Sequence, residues 1–269
     1  MPEGHTLHRL ARSHQRTYAG QPLAVTSPQG RFASGASLVD GQVLAKAEAH
    51  GKHLFHNYVN GHTVHIHLGL YGKFTDGTPP APAPVGQIRM RLVSSTQWTD
   101  LRGPTACEVL TPDEVAAIHA RLGPDPLRRD ADPDKAWTKI AKSRTSIAVL
   151  LMDQSVVAGI GNIYRAELLF RHGIHPLIPG RSLDHTVWKE MWPDLATLMR
   201  LGVRRGRIDT VRDEHLPEAT GRAPRQDRHG GEVYVYRRTG QPCLVCGTPV
   251  MGEVLAARNN YWCPTCQPA

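Results

Sequence analysis

Val64-His65-Ile66-His67-Leu68-Gly69-Leu70 alternates apolar residues with polar or small ones, the two-residue period of a strand with one buried face. Working outward, Ile88-Arg89-Met90-Arg91-Leu92 repeats the pattern, and Leu23 to Thr26, Val43 to Glu48 and Leu54 to Val59 add further strands. Pro79-Pro80-Ala81-Pro82-Ala83-Pro84 is a loop, because proline cannot serve a sheet ladder. An antiparallel sandwich is the simplest assembly of such strands. Ahead of it, Leu7, Leu10, Ala11 and Tyr18 follow a helical period that ends near Gly20 and Pro22. Behind it, Gly123-Pro124-Asp125-Pro126 through Asp132-Pro133-Asp134 reads as a linker. Ile147, Leu150 and Leu151 then mark one helix face, and Ile163, Ala166 and Phe170 another. The expectation is an α+β chain: residues 1–123 an N-terminal helix with a β-sandwich, 124–135 a linker, 136–232 a helical domain and 233–269 a metal module.

That module rests on Cys243-Leu244-Val245-Cys246 and Cys263-Pro264-Thr265-Cys266, with sixteen residues between the pairs. Each pair can form a tight knuckle, and four thiolates close a tetrahedral shell, so the pattern predicts one structural Zn2+ held by Cys243, Cys246, Cys263 and Cys266. Cys107 stands alone near the end of a strand and reads as a buried structural thiol. A net charge of +8 over 269 residues and a pI near 9.5 favour a polyanionic partner, nucleic acid before membrane. No apolar run is long enough to span a bilayer, and the N-terminus lacks the pattern of a signal peptide. A cytoplasmic protein with reduced cysteines is therefore expected.

Three further segments carry chemistry. Met1-Pro2-Glu3-Gly4-His5 would leave Pro2 with a free secondary amine once the initiator Met is removed. Such an amine attacks aldehyde-like carbons to give an iminium, Glu3 is placed to move the protons, and a helix N-terminus disfavours protonation of the amine. Val156-Val157-Ala158-Gly159-Ile160-Gly161-Asn162 lets backbone approach a phosphate, with Asn162 as the cap of the second helix. Arg200, Arg204, Arg205, Arg207 and Arg212, followed by Arg222, Arg225 and Arg228, form a positive region, either a solvated loop or a phosphate track. Among fifteen histidines, His65-x-His67 could pair on a metal. With no carboxylate or cysteine nearby in sequence, hydrogen bonding at the surface or toward DNA is the expected role.

Taken together, Pro2-Glu3-Gly4, Gly51-Lys52-His53-Leu54, Leu70-Tyr71-Gly72, Asp153-Gln154 with Gly159-Ile160-Gly161-Asn162-Ile163-Tyr164, Tyr236 with Gly240-Gln241-Pro242-Cys243, and Arg258 resemble the formamidopyrimidine-DNA glycosylase and endonuclease VIII family of base-excision repair enzymes. The resemblance implies a β-sandwich with an N-terminal helix, a helix-two-turns-helix domain and a zinc finger, with DNA in the cleft between the halves. It implies that Pro2 attacks C1′ of the damaged nucleotide, that Glu3 assists ring opening and that Lys52 is a second cationic catalytic group. Asn162 and Arg258 would grip the DNA backbone, and Leu70 and Tyr71 would form the wedge that fills the gap left by an extruded base. Alternation alone makes Leu70 a core residue of its strand, so two readings of that residue stand open. Two departures are visible: Gly69 where endonuclease VIII carries glutamine, and Thr6 where a second early glutamate is usual.

The expected function is thus a bifunctional DNA glycosylase and abasic-site lyase, a monomer acting on damaged double-stranded DNA, favouring oxidised pyrimidines and cutting by β,δ-elimination. An oxidised-purine glycosylase is the alternative within catalysis. A noncatalytic zinc-containing DNA-binding protein is the alternative outside it.

Overall fold

In the computed structural model, which describes residues 2–227 and 231–269, the stripe Leu7, Ala11 and Tyr18 is buried and forms one face of helix α1 (Gly4–Tyr18). The chain folds as two units, Met1–Arg121 and Leu122–Ala269. After α1 the first unit runs β1 (Ala24–Thr26), α2 (Ala33–Val39), β2 (Leu44–His50), β3 (His53–Tyr58), β4 (Thr63–His67), β5 (Lys73–Gly77), β6 (Ile88–Val93), β7 (Trp98–Arg102), β8 (Ala106–Leu110) and α3 (Pro112–Arg121). Two four-stranded antiparallel sheets result, ordered β1-β6-β7-β5 and β2-β3-β4-β8. Their core is Leu23, Val25, Leu44, Leu54, Val64, Ile66, Met90, Leu92, Leu101 and Cys107, the last with its thiol pushed up to about 12 by burial.

Several polar groups are buried in this unit. Arg91, nominally on the polar face of its strand, is buried against Asp100, with hydrogen bonds of 2.6 and 2.9 Å and a third to the Pro82 carbonyl at 2.7 Å. His14 and His56 meet across α1 and β3 at 2.9 Å, and burial lowers the His14 pKa to about 4 and His56 well below the ordinary histidine value. His65, expected to hydrogen-bond at the surface or toward DNA, is buried and bonds within the protein. Its Nδ1 meets Glu108 Oε1 at 3.0 Å and its Nε2 meets His53 Nδ1 at 2.8 Å, so the carboxylate missing from the local sequence arrives from β8.

The strand expected to run to Leu70 stops at His67. Leu68 is still buried, but Gly69 has φ +63°, the left-handed region that glycine enters without penalty, and the alternation breaks there. Leu70 and Tyr71 consequently stand 60% and 83% exposed, so Leu70 is not a core residue.

The second unit contains α4 (Pro133–Ile140), α5 (Ile147–Leu150), α6 (Asn162–Arg171), α7 (His185–Arg205), α8 (Pro217–Thr220) and the hairpin β9 (Met251–Leu255) with β10 (Arg258–Trp262). Asp132 and Asp184 cap α4 and α7 by accepting from Asp134 N and Thr186 N, which satisfies amides that a helix start leaves bare. Gly206, at φ +74°, ends α7. Tyr164, Leu168, Trp188, Met191, Leu195 and Met199 form the core with Val235 and Val250. The proline-rich segment 124–135 joins this unit: Asp125 is buried and accepts from Leu127 N at 2.9 Å, and Leu127 packs on the core. Among the described residues no helix is long and apolar enough to cross a membrane.

Candidate catalytic end and nucleic-acid interface

Ladder registers bring several sequence-predicted residues to one end of the first unit. His50 pairs with His53 across the Gly51-Lys52 turn, His53 pairs with His67 and His67 with Ala106. The Lys52 turn, the 68–72 loop and the 103–105 loop therefore leave the sheet at the same end. Lys52 is half-buried. Its charge is felt by His67, whose pKa is lowered first by burial and then by His65 and Lys52.

Helix α1 delivers the N-terminus to this end as well. It lies antiparallel to β2, with Gly20 N on the Leu44 carbonyl at 2.8 Å and Gln15 Oε1 accepting from Ala47 N at 2.7 Å. From Gln15 back to Gly4 the helix climbs about 16 Å, and from Ala47 to His50 the strand advances about 10 Å in the same direction, so the helix start and the Lys52 turn lie toward the same end of the unit. Pro2 is half-buried, Glu3 is fully buried at the N-cap, and the Glu3 carbonyl accepts from Thr6 N at 2.9 Å. Next to them His5 is buried with its pKa down to about 4, mainly through desolvation, so it is a neutral imidazole at pH 7.

In the second unit the turn before α6 is pinned by Gln154. Its amide nitrogen donates to the Met152 and Ile160 carbonyls at 3.0 Å each and its oxygen accepts from Gly159 N at 3.0 Å. The cap of α6 is Gly161, not Asn162 as the sequence led us to expect. Asn162 is the first helical residue, and its side chain reaches away from the helix to donate to the Asn259 carbonyl at 3.0 Å. Arg165, one turn on and 1% exposed, donates to the same carbonyl at 2.8 Å and to Asn162 Oδ1. Asn162 is thereby tied to the residue after Arg258. Arg258 opens β10, and its exposed side chain has no hydrogen bond or ion pair among the described residues.

The arginine-rich region is mostly committed within the protein. Arg205 and Arg207 both bond Asp209 at 3.0 Å, Arg212 donates to the Arg171 carbonyl, Arg222 meets Glu232, and Arg225 meets Asp227 and the Tyr236 carbonyl. Arg205, Arg207, Arg212 and Arg225 frame a cavity of about 740 Å³ together with Leu198 and Leu216. Arg228 lies outside the described residues.

Sequence reading missed Glu167. This fully buried carboxylate on α6 accepts from the backbone N–H of Tyr234, Val235 and Tyr236 at 2.6, 2.9 and 2.8 Å and from the Thr210 hydroxyl at 2.5 Å. It anchors the segment that leads into the cysteine module. Its partners lie 43 to 69 positions away, so it carries no local signal.

The four predicted cysteines come together. Their sulfurs all lie within 4.8 Å of one another, with 3.9 Å from Cys243 to Cys266 and 3.4 Å from Cys246 to Cys263. A tetrahedron with metal–sulfur bonds of about 2.3 Å has edges of about 3.8 Å, so the cluster fits a zinc ion. Val245 N and Cys266 N point at the Cys243 and Cys263 sulfurs, as backbone amides do in metal knuckles. Among the described residues it is the only His, Cys, Asp and Glu cluster with this geometry.

A buried carboxylate at a helix start, a protruding apolar loop, a glycine-rich turn into a helix and a four-sulfur cluster together suit a DNA-processing enzyme. Family models agree: the formamidopyrimidine-DNA glycosylase N-terminal domain matches residues 1–107, the formamidopyrimidine-DNA glycosylase H2TH domain 122–213, and the zinc finger found in FPG and IleRS 240–269. The chain is 56% identical to "Endonuclease 8 1" of Mycobacterium tuberculosis over 99% of its own length and 100% of that protein. It is 32% identical to "Probable endonuclease 8 2" of Streptomyces coelicolor, covering 99% and 94%. It therefore belongs to the formamidopyrimidine-DNA glycosylase and endonuclease VIII family, whose members are DNA glycosylases with abasic-site lyase activity. In fold it is similar to the Lactococcus lactis Fpg solved in complex with an abasic site containing DNA, at a TM-score of 0.80 and 21% identity over 99% of this chain and 100% of that one.

Proposed function

We propose that this enzyme removes oxidised bases, pyrimidines in preference, from double-stranded DNA and then nicks the strand by β,δ-elimination. The observation that carries the proposal is the convergence of Pro2, Glu3, Lys52, Leu70 and Tyr71 on one end of the sandwich. With Met1 removed, the Pro2 nitrogen attacks C1′, the bond from C1′ to the base breaks, and the base leaves with a proton. Glu3, buried beside the amine, supplies and removes protons as the sugar ring opens to the iminium. Loss of a C2′ proton expels the 3′ phosphate, and a second elimination expels the 5′ phosphate. Lys52 places a positive charge at the sugar-phosphate. Leu70 and Tyr71 fill the gap in the stack, offsetting an unstacking cost of a few kcal/mol.

In this reading residues 1–123 carry the chemistry, and 136–232 with Asn162 and 233–269 with Arg258 hold phosphates. One zinc ion on the four cysteines closes the last module and has a structural role. The enzyme works as a monomer in the cytoplasm. Its substrate preference follows that of proteins named endonuclease 8, 56% and 32% identical to it.

Borohydride added during turnover should freeze a covalent adduct between Pro2 and an oligonucleotide carrying a single oxidised pyrimidine, located by mass spectrometry. An N-terminal extension turns the amine into an amide with a delocalised lone pair, and should bind DNA without trapping or cutting it. No adduct with oxidised pyrimidines, oxidised purines or abasic sites, with Met1 shown to be removed, would overturn the chemistry.

A further inference from the structure

Gly69 leaves a position in the protruding loop without a side chain, and the structure shows what occupies that place. A Cβ built on Gly69 would lie 1.8 Å from the Thr105 hydroxyl oxygen and 3.2 Å from Thr105 Cβ, and the residue has φ +63°. A side chain at 69 would have to displace the Thr105 hydroxyl, which takes the spot from which it would project. Thr105 is held there firmly: its amide donates to the His67 carbonyl at 2.8 Å, Pro104 before it is buried, and Ala106 after it enters the ladder opposite His67. The neighbouring Gly103 packs against Tyr71, its own Cβ position 3.2 Å from the Tyr71 carbonyl oxygen. The two loops are therefore one platform, with Leu70 and Tyr71 protruding beside Thr105, an exposed residue whose hydroxyl makes no hydrogen bond among the described residues. Arg102, the charged side chain at the start of the 103–105 loop, is spent on Thr75, Val85 and Asp100.

When a nucleotide is extruded, the base opposite loses its pairing partner while its polar edge stays in a gap that the wedge has emptied of water. A polar edge left so costs free energy unless a protein group bonds it. We propose that Thr105 is the residue that hydrogen-bonds the base opposite the lesion, from the place a residue-69 side chain would otherwise fill. The proposal rests on the wedge reading of Leu70 and Tyr71 and adds a specificity-determining residue to it. A hydroxyl offers one donor and two acceptor lone pairs and rotates freely, so it serves all four bases. Tolerance of the opposite base follows, in contrast to a carboxamide, whose donor and acceptor have fixed directions.

The probe is a duplex with one tetrahydrofuran abasic analogue, placed opposite each of the four bases or opposite a second analogue that carries no base. The quantity read is the ratio of Kd without an opposite base to Kd with one. Thr105→Val, which swaps hydroxyl for methyl at constant shape, should reduce that ratio about two- to tenfold, the worth of one neutral hydrogen bond. Thr105→Ser should hold the wild-type ratio, which separates loss of the bond from disturbance of the loop. A ratio unchanged in Thr105→Val, while Leu70→Ala weakens binding to every duplex, overturns the assignment of Thr105 alone. If Leu70→Ala and Tyr71→Ala bind every duplex as the wild type does, the wedge reading fails and the proposal fails with it.

Discussion

Removing the Glu167 carboxylate tests the link between the helical core and the zinc module. In Glu167→Ala the amides of Tyr234, Val235 and Tyr236 lose their acceptor in a site with no exposed surface on Glu167, whereas Thr210 keeps a longer contact with the Glu232 carbonyl at 3.4 Å. Each buried N–H left unpaired costs about 1–3 kcal/mol. Three of them amount to at least about 3 kcal/mol, a large part of the roughly 5–15 kcal/mol that holds a domain folded. Glu167→Gln should be milder. Its remaining oxygen still serves Val235 and Tyr236, but its NH2 faces the Tyr234 N–H, donor against donor, so a loss of about 1–3 kcal/mol is expected. Urea unfolding of the zinc-loaded full-length protein, followed by tryptophan fluorescence, reads both values, since all five tryptophans except Trp98 lie in the second unit. A Glu167→Ala protein within about 0.5 kcal/mol of the wild type, the range of an ordinary surface substitution, would refute the reasoning.

Cys246→Ser should release the metal and weaken DNA binding while the sandwich stays folded; metal analysis that finds no zinc in wild-type protein purified without chelator would discard the zinc assignment. Asn162→Ala removes the bond to Asn259 that ties α6 to the Arg258 strand, and should weaken binding to lesion and undamaged duplex alike, by about tenfold for a bond to a charged phosphate; equal wild-type and mutant affinities at moderate salt would refute the role. Stability should fall with acidity below pH 6.5. His5 and His14 have folded pKa values near 4 and His53 near 3, so above 6.5 both states are neutral, and below it the unfolded chain takes up protons that the fold refuses. The slope reaches about 1.4 kcal/mol per pH unit for each histidine, and a thermal midpoint that stays flat from pH 7 to pH 5 would contradict it. Ala256 and Ala257 turn the β9–β10 hairpin at φ +48° and +59°, so Ala257→Gly should stabilise the hairpin by about 1 kcal/mol, measured as slower amide exchange in β9 and β10.

The sequence determined by itself what depends on local spacing. Two-residue alternation placed Val64, Ile66, Met90 and Leu92 in a sandwich core, and a helical period placed Leu7, Ala11 and Tyr18 on one face of α1. The cysteine spacing gathered four sulfurs. Two segments too short or too mixed for a period, β5 and β7, were not legible, because pairing makes them strands, β5 with β7 and β7 with both β5 and β6. Polar burial was hidden for a related reason. Arg91, His65 and Glu167 are soluble inside the protein only through partners 9, 43 and up to 69 positions away, and a partner's position is a property of the fold. Asn162 was recognisable as a site residue, but its bond to Asn259 spans 97 positions. Leu70 shows the division most sharply. Alternation alone buries it, and a single left-handed glycine, with Thr105 from the loop before β8 in the space a side chain would take, turns it out into solvent.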